Sequence, residues 1–235
     1  MSSTDTRSIY TGQAYAESRP TWHEEDSPWK AKQILEILKR NNINPRKIVD
    51  VGCGAGGVLQ STVEGLAPGA RGEGFDIAPY AISKAQQKSD PSLNFRCADF
   101  SNSDYAEYDL LLCIDVFEHV EDYIGFLRKI RGKSKYFVFH IPLDMNAKGI
   151  LRNHHMKERR EVGHLHYFDF KTALSTLQDT GYEVIDHFYT RKPTNNLLTK
   201  TITATEHVLA ALTDRHFAVK VLGGVSLLVL GRASE

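Results

Sequence analysis

The chain lacks an excess of either charge. Among its 235 residues, 29 Lys and Arg stand against 29 Asp and Glu, for a formal net charge of zero. Nucleic acid, which calls for a broad basic footprint, is not expected as a partner. Cysteine is scarce: Cys53, Cys97 and Cys113 are far apart and show no metal-ligand spacing. They are expected to be reduced thiols of a cytoplasmic protein, not a disulfide framework. Long hydrophobic runs are missing too. The most apolar stretch, FAVKVLGGVSLLVLG, is interrupted by Lys220 and the Gly223–Gly224 pair and is too short to span a bilayer. The polar start, MSSTDTRSIYTGQAYAESRP, has no apolar leader segment, so a membrane is not expected as a partner either. No internal repeat or low-complexity tract is present.

What is there is an alternation of short apolar runs and helical patterns, in a chain long enough for one sizeable domain. Ser27 is expected to cap a helix with Pro28 at its first position, followed by Ala31, Ile34, Leu35 and Leu38 at helical spacing. KIVDV is a strand ending at glycines, with a helix from about Gly57 to Glu64. RGEGFDI is a second strand, followed by a helix opened by Pro79 and running through Lys88. LNFRCADF and YDLLLCIDV are the third and fourth strands, and a helix from Asp122 to Arg131 stops at Gly132. KYFVFHIP is the fifth strand. Asp169 caps a helix ending at Gly181, YEVIDHFY is the sixth strand, and the last is VSLLVLGR, preceded by FAVKV across the glycines. Strands alternating with helices predict an α/β fold with a parallel sheet covered on both faces, and ligands beyond the carboxyl ends of its strands. Residues 1–30 are expected to form an N-terminal cap segment. Residues 31–235 form the main domain, with cap insertions near 142–168 and 190–216; the second, containing LLTKTITATEHVLAAL, suits a lid or a subunit contact.

The loop IVDVGCGAGGVL places Gly52, Gly54 and Gly57 in the order G-x-G-x-x-G, with Asp50 at its neck. Such a loop alone also serves as a tight turn with no ligand. The acids around it are more selective. Asp76 ends the second strand and Asp99 the third. Carboxylates repel a pyrophosphate but suit a ligand with an ammonium and a sulfonium, and S-adenosylmethionine is such a ligand. In this reading Asp76 accepts both ribose hydroxyls, Ile77 lies on the adenine face, Asp99 accepts from the adenine amino group, Phe100 walls that pocket, and Asp50 holds the loop or the amino-acid moiety.

Together VDVGCGAGG, GFDIAPYAISKAQ, CADF, YDLLLCIDVFEHVED and GHLHYFDFKTALSTLQDTGYEV resemble class I S-adenosylmethionine-dependent methyltransferases of the small-molecule branch, similar to ubiquinone-biosynthesis O-methyltransferases, over roughly residues 45 to 190. The resemblance implies a Rossmann-like seven-stranded sheet, mostly parallel with an antiparallel last strand. It also implies that Gly52, Cys53 and Gly54 form the cofactor loop, and that Ile114 and Asp115 run beneath the methionine portion. N-terminal residues such as Trp29 would close over the cofactor, with Lys30 or Arg19 meeting its carboxylate.

Three readings compete for CIDVFEHV. His119 serves as a general base. Alternatively Asp115, Glu118 and His119 bind a divalent cation such as Mg²⁺, as the resemblance to ubiquinone enzymes suggests. In the third, Glu118 and His119 only brace the following turn. Among the ten histidines, His164 and His166 stand two apart and would share one face if extended, so either is a further candidate base. The expectation is methyl transfer to a hydroxyl oxygen of a small metabolite, a sugar or natural product, by a monomer or homodimer. An amine acceptor, a nicotinamide dehydrogenase and a non-catalytic cofactor-binding protein are the alternatives.

Overall fold

In the computed structural model, residues 24–104, 108–193 and 213–234 are described. Seven strands form one sheet: β1 (Lys47–Val51), β2 (Arg71–Asp76), β3 (Leu93–Cys97), β4 (Tyr108–Ile114), β5 (Ser134–Pro142), β6 (Tyr182–Thr190) and β7 (Ser226–Ala233), in the order β3-β2-β1-β4-β5-β7-β6. The first five run parallel to one another, and β7 runs antiparallel between β5 and β6. The helices are α1 (Ser27–Arg40), α2 (Gly57–Gly65), α3 (Pro79–Ala85), α4 (Tyr123–Ile130), α5 (Ala147–Leu151), α6 (His154–Glu161), α7 (Phe170–Asp179) and α8 (Arg215–Leu222). None is long and apolar enough to cross a membrane.

The central strands are apolar on both faces because each face carries its own core. Along β4, Leu111 and Cys113 enter one cluster and Leu110, Leu112 and Ile114 the other, as the two-residue strand period requires. The first cluster is aromatic. Tyr182 sets its ring edge-on to Phe137 and Phe139 at 5.0 and 5.1 Å, and its hydroxyl donates to the Leu127 carbonyl at 2.7 Å. The second is aliphatic and rests on Ile34, Ile37 and Leu38 of α1 and Leu59 of α2.

Local chemistry sets several helix starts. Asp169 and Thr172 form a reciprocal cap on α7, and Asp122 accepts from the Gly125 amide to open α4. Ser27 departs from expectation. Asp26 takes the cap position without a side-chain bond, and Ser27 is the first helical residue, buried against the glycine loop. The helix from Pro79 is α only to Ala85 and finishes as a 3₁₀ turn, Gln86–Lys88. FAVKV belongs to α8, which Asp214 caps by accepting from the Phe217 amide. Helix α1 runs unbroken across residues 30 and 31, and the 142–168 stretch holds α5 and α6. Most of the second expected insertion, including LLTKTITATEHVLAAL, lies outside the described residues, as does Arg19.

Candidate active site

Strand order reverses at β1 and β4, whose neighbours diverge and leave a crevice at their carboxyl ends. A cavity of about 1110 Å³ opens there. It exceeds the usual range for a single small ligand, about 300–1,000 Å³, and so leaves room for two.

The glycine loop forms one wall. The Gly52 and Cys53 amides donate to the Phe75 carbonyl of β2 at 2.8 and 3.0 Å, which fixes the loop to the neighbouring strand. Gly54 has φ +54°, and a Cβ there would point into open space, so the backbone itself faces the cavity. Gly57 serves differently: a Cβ would lie 2.6 Å from Ser27 Oγ, so its bareness lets the start of α1 seat on the loop. Asp76 accepts from the Gly54 amide through one oxygen and from the Ala78 amide through the other, both at 2.8 Å. Each oxygen keeps a further lone pair. Burial raises the Asp76 pKa, and the amide donors hold that rise back. Asp50 is 2% exposed, with one oxygen lacking a hydrogen-bond partner. Burial first, and then the neighbouring Asp76 charge, push its pKa up to about 7 against the pull of Lys30. Burial also raises the Cys53 thiol, so this cysteine is no nucleophile.

Ile77, Asp99, Phe100 and Ile114 line the same cavity. Asp99 is already engaged by its own turn: Oδ1 accepts from the Ser101 amide and hydroxyl at 3.0 and 2.7 Å, and Oδ2 from Asn102 at 2.8 Å. Phe100 is 1% exposed and packs on Phe75 at 5.0 Å.

Beyond β4 the charges pair. Asp115, held at φ +55°, takes Lys30 Nζ on one oxygen at 2.7 Å and His140 Nδ1 on the other at 2.6 Å. Burial pushes the Asp115 carboxyl up, but His140 and Lys30 outweigh it and hold it well below the usual carboxylate range. On the lysine side, burial pulls Lys30 down and the Asp115 carboxylate more than offsets that, so the net shift is upward. His140 Nε2 meets the Thr190 hydroxyl at 2.8 Å, and the Trp29 and His140 rings meet edge-to-face with their centroids 6.0 Å apart. Helix α1 is thereby tied to the ends of β4, β5 and β6.

The histidines separate. His164 lines the cavity, and its Nδ1 lies 2.7 Å from Asp144 Oδ2. His119 also lines it, with its ring centroid 4.8 Å from that of His164. Burial, then His164, lower the His119 pKa to about 4, so the ring is neutral and weakly basic at neutral pH. His166 is outside the cavity lining: its Nε2 donates to the Val120 carbonyl at 2.9 Å, and its ring rests on Tyr123 at 4.3 Å. The shared face expected of His164 and His166 is not formed, because residues 162–169 are not a strand. The Leu165 and His166 amides both turn to the Glu118 carbonyl, and the two rings go opposite ways. The expected trio of Asp115, Glu118 and His119 does not converge either, since both Asp115 oxygens are engaged by Lys30 and His140. The trio whose ligand atoms lie within 4.8 Å of one another is Glu118, His119 and His164. Glu118 is fully buried, neither carboxylate oxygen has a hydrogen-bond partner among the described residues, and burial and then Asp115 raise its pKa well above the ordinary value.

Asp144 and Thr190 were not legible as site residues. Asp144 follows the end of β5, and the acids at the ends of β1 and β2, Asp50 and Asp76, with Asp99 and Asp115 just past β3 and β4, are a signal that extends to it.

Residues 22–187 match the family model described as a methyltransferase domain. A ubiquinone biosynthesis O-methyltransferase of Chromobacterium violaceum is 29% identical over 144 residues, which cover 55% of this chain and 61% of that relative. The match thus spans about three fifths of the relative's length. Magnesium protoporphyrin IX methyltransferase (ChlM) from Synechocystis PCC 6803, with bound SAH, has a TM-score of 0.65 and 15% identity, covering 99% of this chain and 100% of that one. The N-methyltransferase NodS from Bradyrhizobium japonicum WM9, in complex with S-adenosyl-L-homocysteine, has a TM-score of 0.62 and 14% identity, covering 96% and 100%. At these identities the two structures speak for the fold.

Proposed function

Because the chain belongs to the methyltransferase-domain family and has the class I S-adenosylmethionine-dependent methyltransferase fold, we propose that it moves a methyl group from S-adenosylmethionine to a hydroxyl oxygen of a small polar metabolite, a sugar or natural product. The observation that carries this reading is a single cavity lined by two sets of residues. One is the carboxylate-ringed glycine loop. The other includes His164, paired with Asp144, and also Asn146, Glu158 and Arg191.

The residues fit the methyl donor. Asp76 has lone pairs left for the ribose hydroxyls, and Asp50 offers an unpartnered buried oxygen to a cation. Gly54 presents bare backbone. When bound, the donor supplies an electrophilic methyl group on a sulfonium; the acceptor oxygen takes that carbon and the sulfur leaves with the bonding electrons. The protein aligns the two molecules, an effect worth up to about 7–11 kcal/mol in favourable cases. A hydroxyl acceptor also has a proton to lose, and His164 is the base we assign to it. His119, neutral and weakly basic, shapes the wall beside His164. His166 has no part in the chemistry. An amine acceptor is the alternative, and NodS is an N-methyltransferase on the same fold. A nicotinamide cofactor is disfavoured by Asp50 at the neck of the loop.

A second reading has one observation in its favour, the buried and unpartnered Glu118 carboxylate beside His119 and His164. Those three residues would hold a divalent ion that orients the acceptor. Two imidazoles and one carboxylate suit a borderline ion such as Zn²⁺ better than the all-oxygen preference of Mg²⁺. Nothing in the site favours magnesium.

The test is incubation with methyl-labelled S-adenosylmethionine and a panel of hydroxyl and amine metabolites, read by mass. A labelled ether is expected, and turnover is expected to survive a chelator. Labelled amines alone would reject the hydroxyl assignment, and loss of turnover on chelation would favour the metal.

A further inference from the structure

We propose that Asp144 is a positioning residue, which holds the His164 ring in the tautomer protonated at Nδ1 and so leaves Nε2, on a ring that lines the cavity, as the proton acceptor. The inference rests on the hydroxyl-acceptor reading above for its catalytic consequence, though not for its geometry.

A carboxylate can only accept, so the ring nitrogen that meets it at 2.7 Å must carry the hydrogen. Both partners are held from behind. The Leu143 amide donates to the Val225 carbonyl at 3.2 Å, and the Met145 amide to the Phe168 carbonyl at 3.0 Å, so the chain is clamped on either side of Asp144. The Asp144 carbonyl accepts from the Asn146 amide at 3.0 Å and from its side chain at 3.2 Å. On the histidine side, the Tyr167 hydroxyl donates to the His164 carbonyl at 3.0 Å, and the next two amides donate to Glu118. The backbone is thus fixed at both ends of the pair, and the two side chains meet from fixed anchor points.

Comparison with the other rings isolates the arrangement. His140 spends one nitrogen on Asp115 and the other on Thr190. His166 spends Nε2 on backbone carbonyls. His164 has its Nδ1 engaged by a carboxylate, and Nε2 makes no hydrogen bond to another described residue. In the transfer step the acceptor O–H bond breaks, its proton goes to Nε2, and the oxygen bonds to the methyl carbon as the carbon–sulfur bond opens. The imidazolium that results is stabilised by the Asp144 carboxylate.

The test uses the full chain labelled with ¹⁵N-histidine, with His164 assigned through His164→Gln. Asp144→Asn, whose amide can donate to Nδ1, and Asp144→Ala, which leaves no partner, are both examined. The expected result is a wild-type His164 protonated at Nδ1 at pH 8, and loss of that tautomer in both variants. Turnover on a hydroxyl acceptor is expected to fall on the order of 10²–10⁴-fold. Affinity for S-adenosylhomocysteine should stay within about twofold, a split that a merely structural role would not produce. A wild-type ring protonated at Nε2, or a turnover within threefold of wild type in either variant, would overturn the proposal. If the wild type methylates amines only, the hydroxyl reading fails and with it the catalytic consequence, while the nitrogen spectrum still decides whether Asp144 sets the tautomer.

Discussion

Asp50→Asn is expected to raise the melting temperature at pH 8 and to weaken binding of S-adenosylmethionine at least tenfold. The buried carboxyl, ordinarily at 3.8, titrates near 7 in the folded protein. The folded pKa therefore lies above the unfolded one. Stability is fully present below about pH 3.8 and is lost as the pH rises to about 7, because the unfolded chain ionises more readily. A shift of about three units corresponds to on the order of 4 kcal/mol at pH 8. Asparagine never carries that charge, although a buried amide lacking a partner returns about 1–3 kcal/mol of the cost. The net gain is about 1–3 kcal/mol, or several degrees at about 2–4 °C per kcal/mol. The same charge is what a cationic donor meets. Wild-type affinity should fall about tenfold from pH 8 to pH 6, as Asp50 takes up its proton, and the Asp50→Asn profile should be flat. Differential scanning fluorimetry and calorimetry at the two pH values check both halves. A lower melting temperature combined with unchanged affinity would mean that Asp50 is a packing residue.

Lys30→Met is expected to be the most destabilising single change at the site. It strips the lysine ammonium from Asp115, a carboxylate whose backbone already sits at φ +55°. Removing one partner of a buried pair typically costs about 3–5 kcal/mol because the other charge stays behind, and this half-buried pair, 17% and 25% exposed, should lie at the lower end of that range. A fall of about 10 °C in melting temperature follows. The pair also ties α1 to the end of β4, so the start of α1 should loosen from the glycine loop and proteolysis before residue 40 should quicken. Adding Asp115→Asn should recover most of the loss, since no uncompensated charge remains. If Lys30→Met leaves stability within 1 kcal/mol, the ion pair does not hold the N-terminal helix in place.

The parts of the site that lie within one strand–loop–helix unit were legible in the sequence. KIVDV with its glycines and Asp50, and Asp76 at the end of the next strand, declare themselves through local apolar runs and a fixed spacing, and the structure brings Asp50, Gly52, Gly54, Gly57 and Asp76 to one cavity. Asp169 was legible as a cap for the same reason. What failed depended on contacts between distant segments. The two-residue spacing of His164 and His166 implies a shared face only in a strand, and the chain there is bent by two amides reaching for the Glu118 carbonyl. The partners of Asp115, Lys30 and His140, are 85 and 25 residues away in sequence and that of His164 is 20, beyond the reach of any helix or strand period. The position of Ser27 was misjudged because its burial is set by Gly57, on another element.

The charge of the molecule that the glycine loop accepts decides what the site can do. Isothermal titration of the full chain at pH 8 with S-adenosylmethionine, S-adenosylhomocysteine and NAD in separate runs tests it directly. Saturable heat with both sulfur nucleosides and none with the dinucleotide is the expected result. Binding of NAD at comparable affinity, or no heat from either sulfur nucleoside, would contradict it.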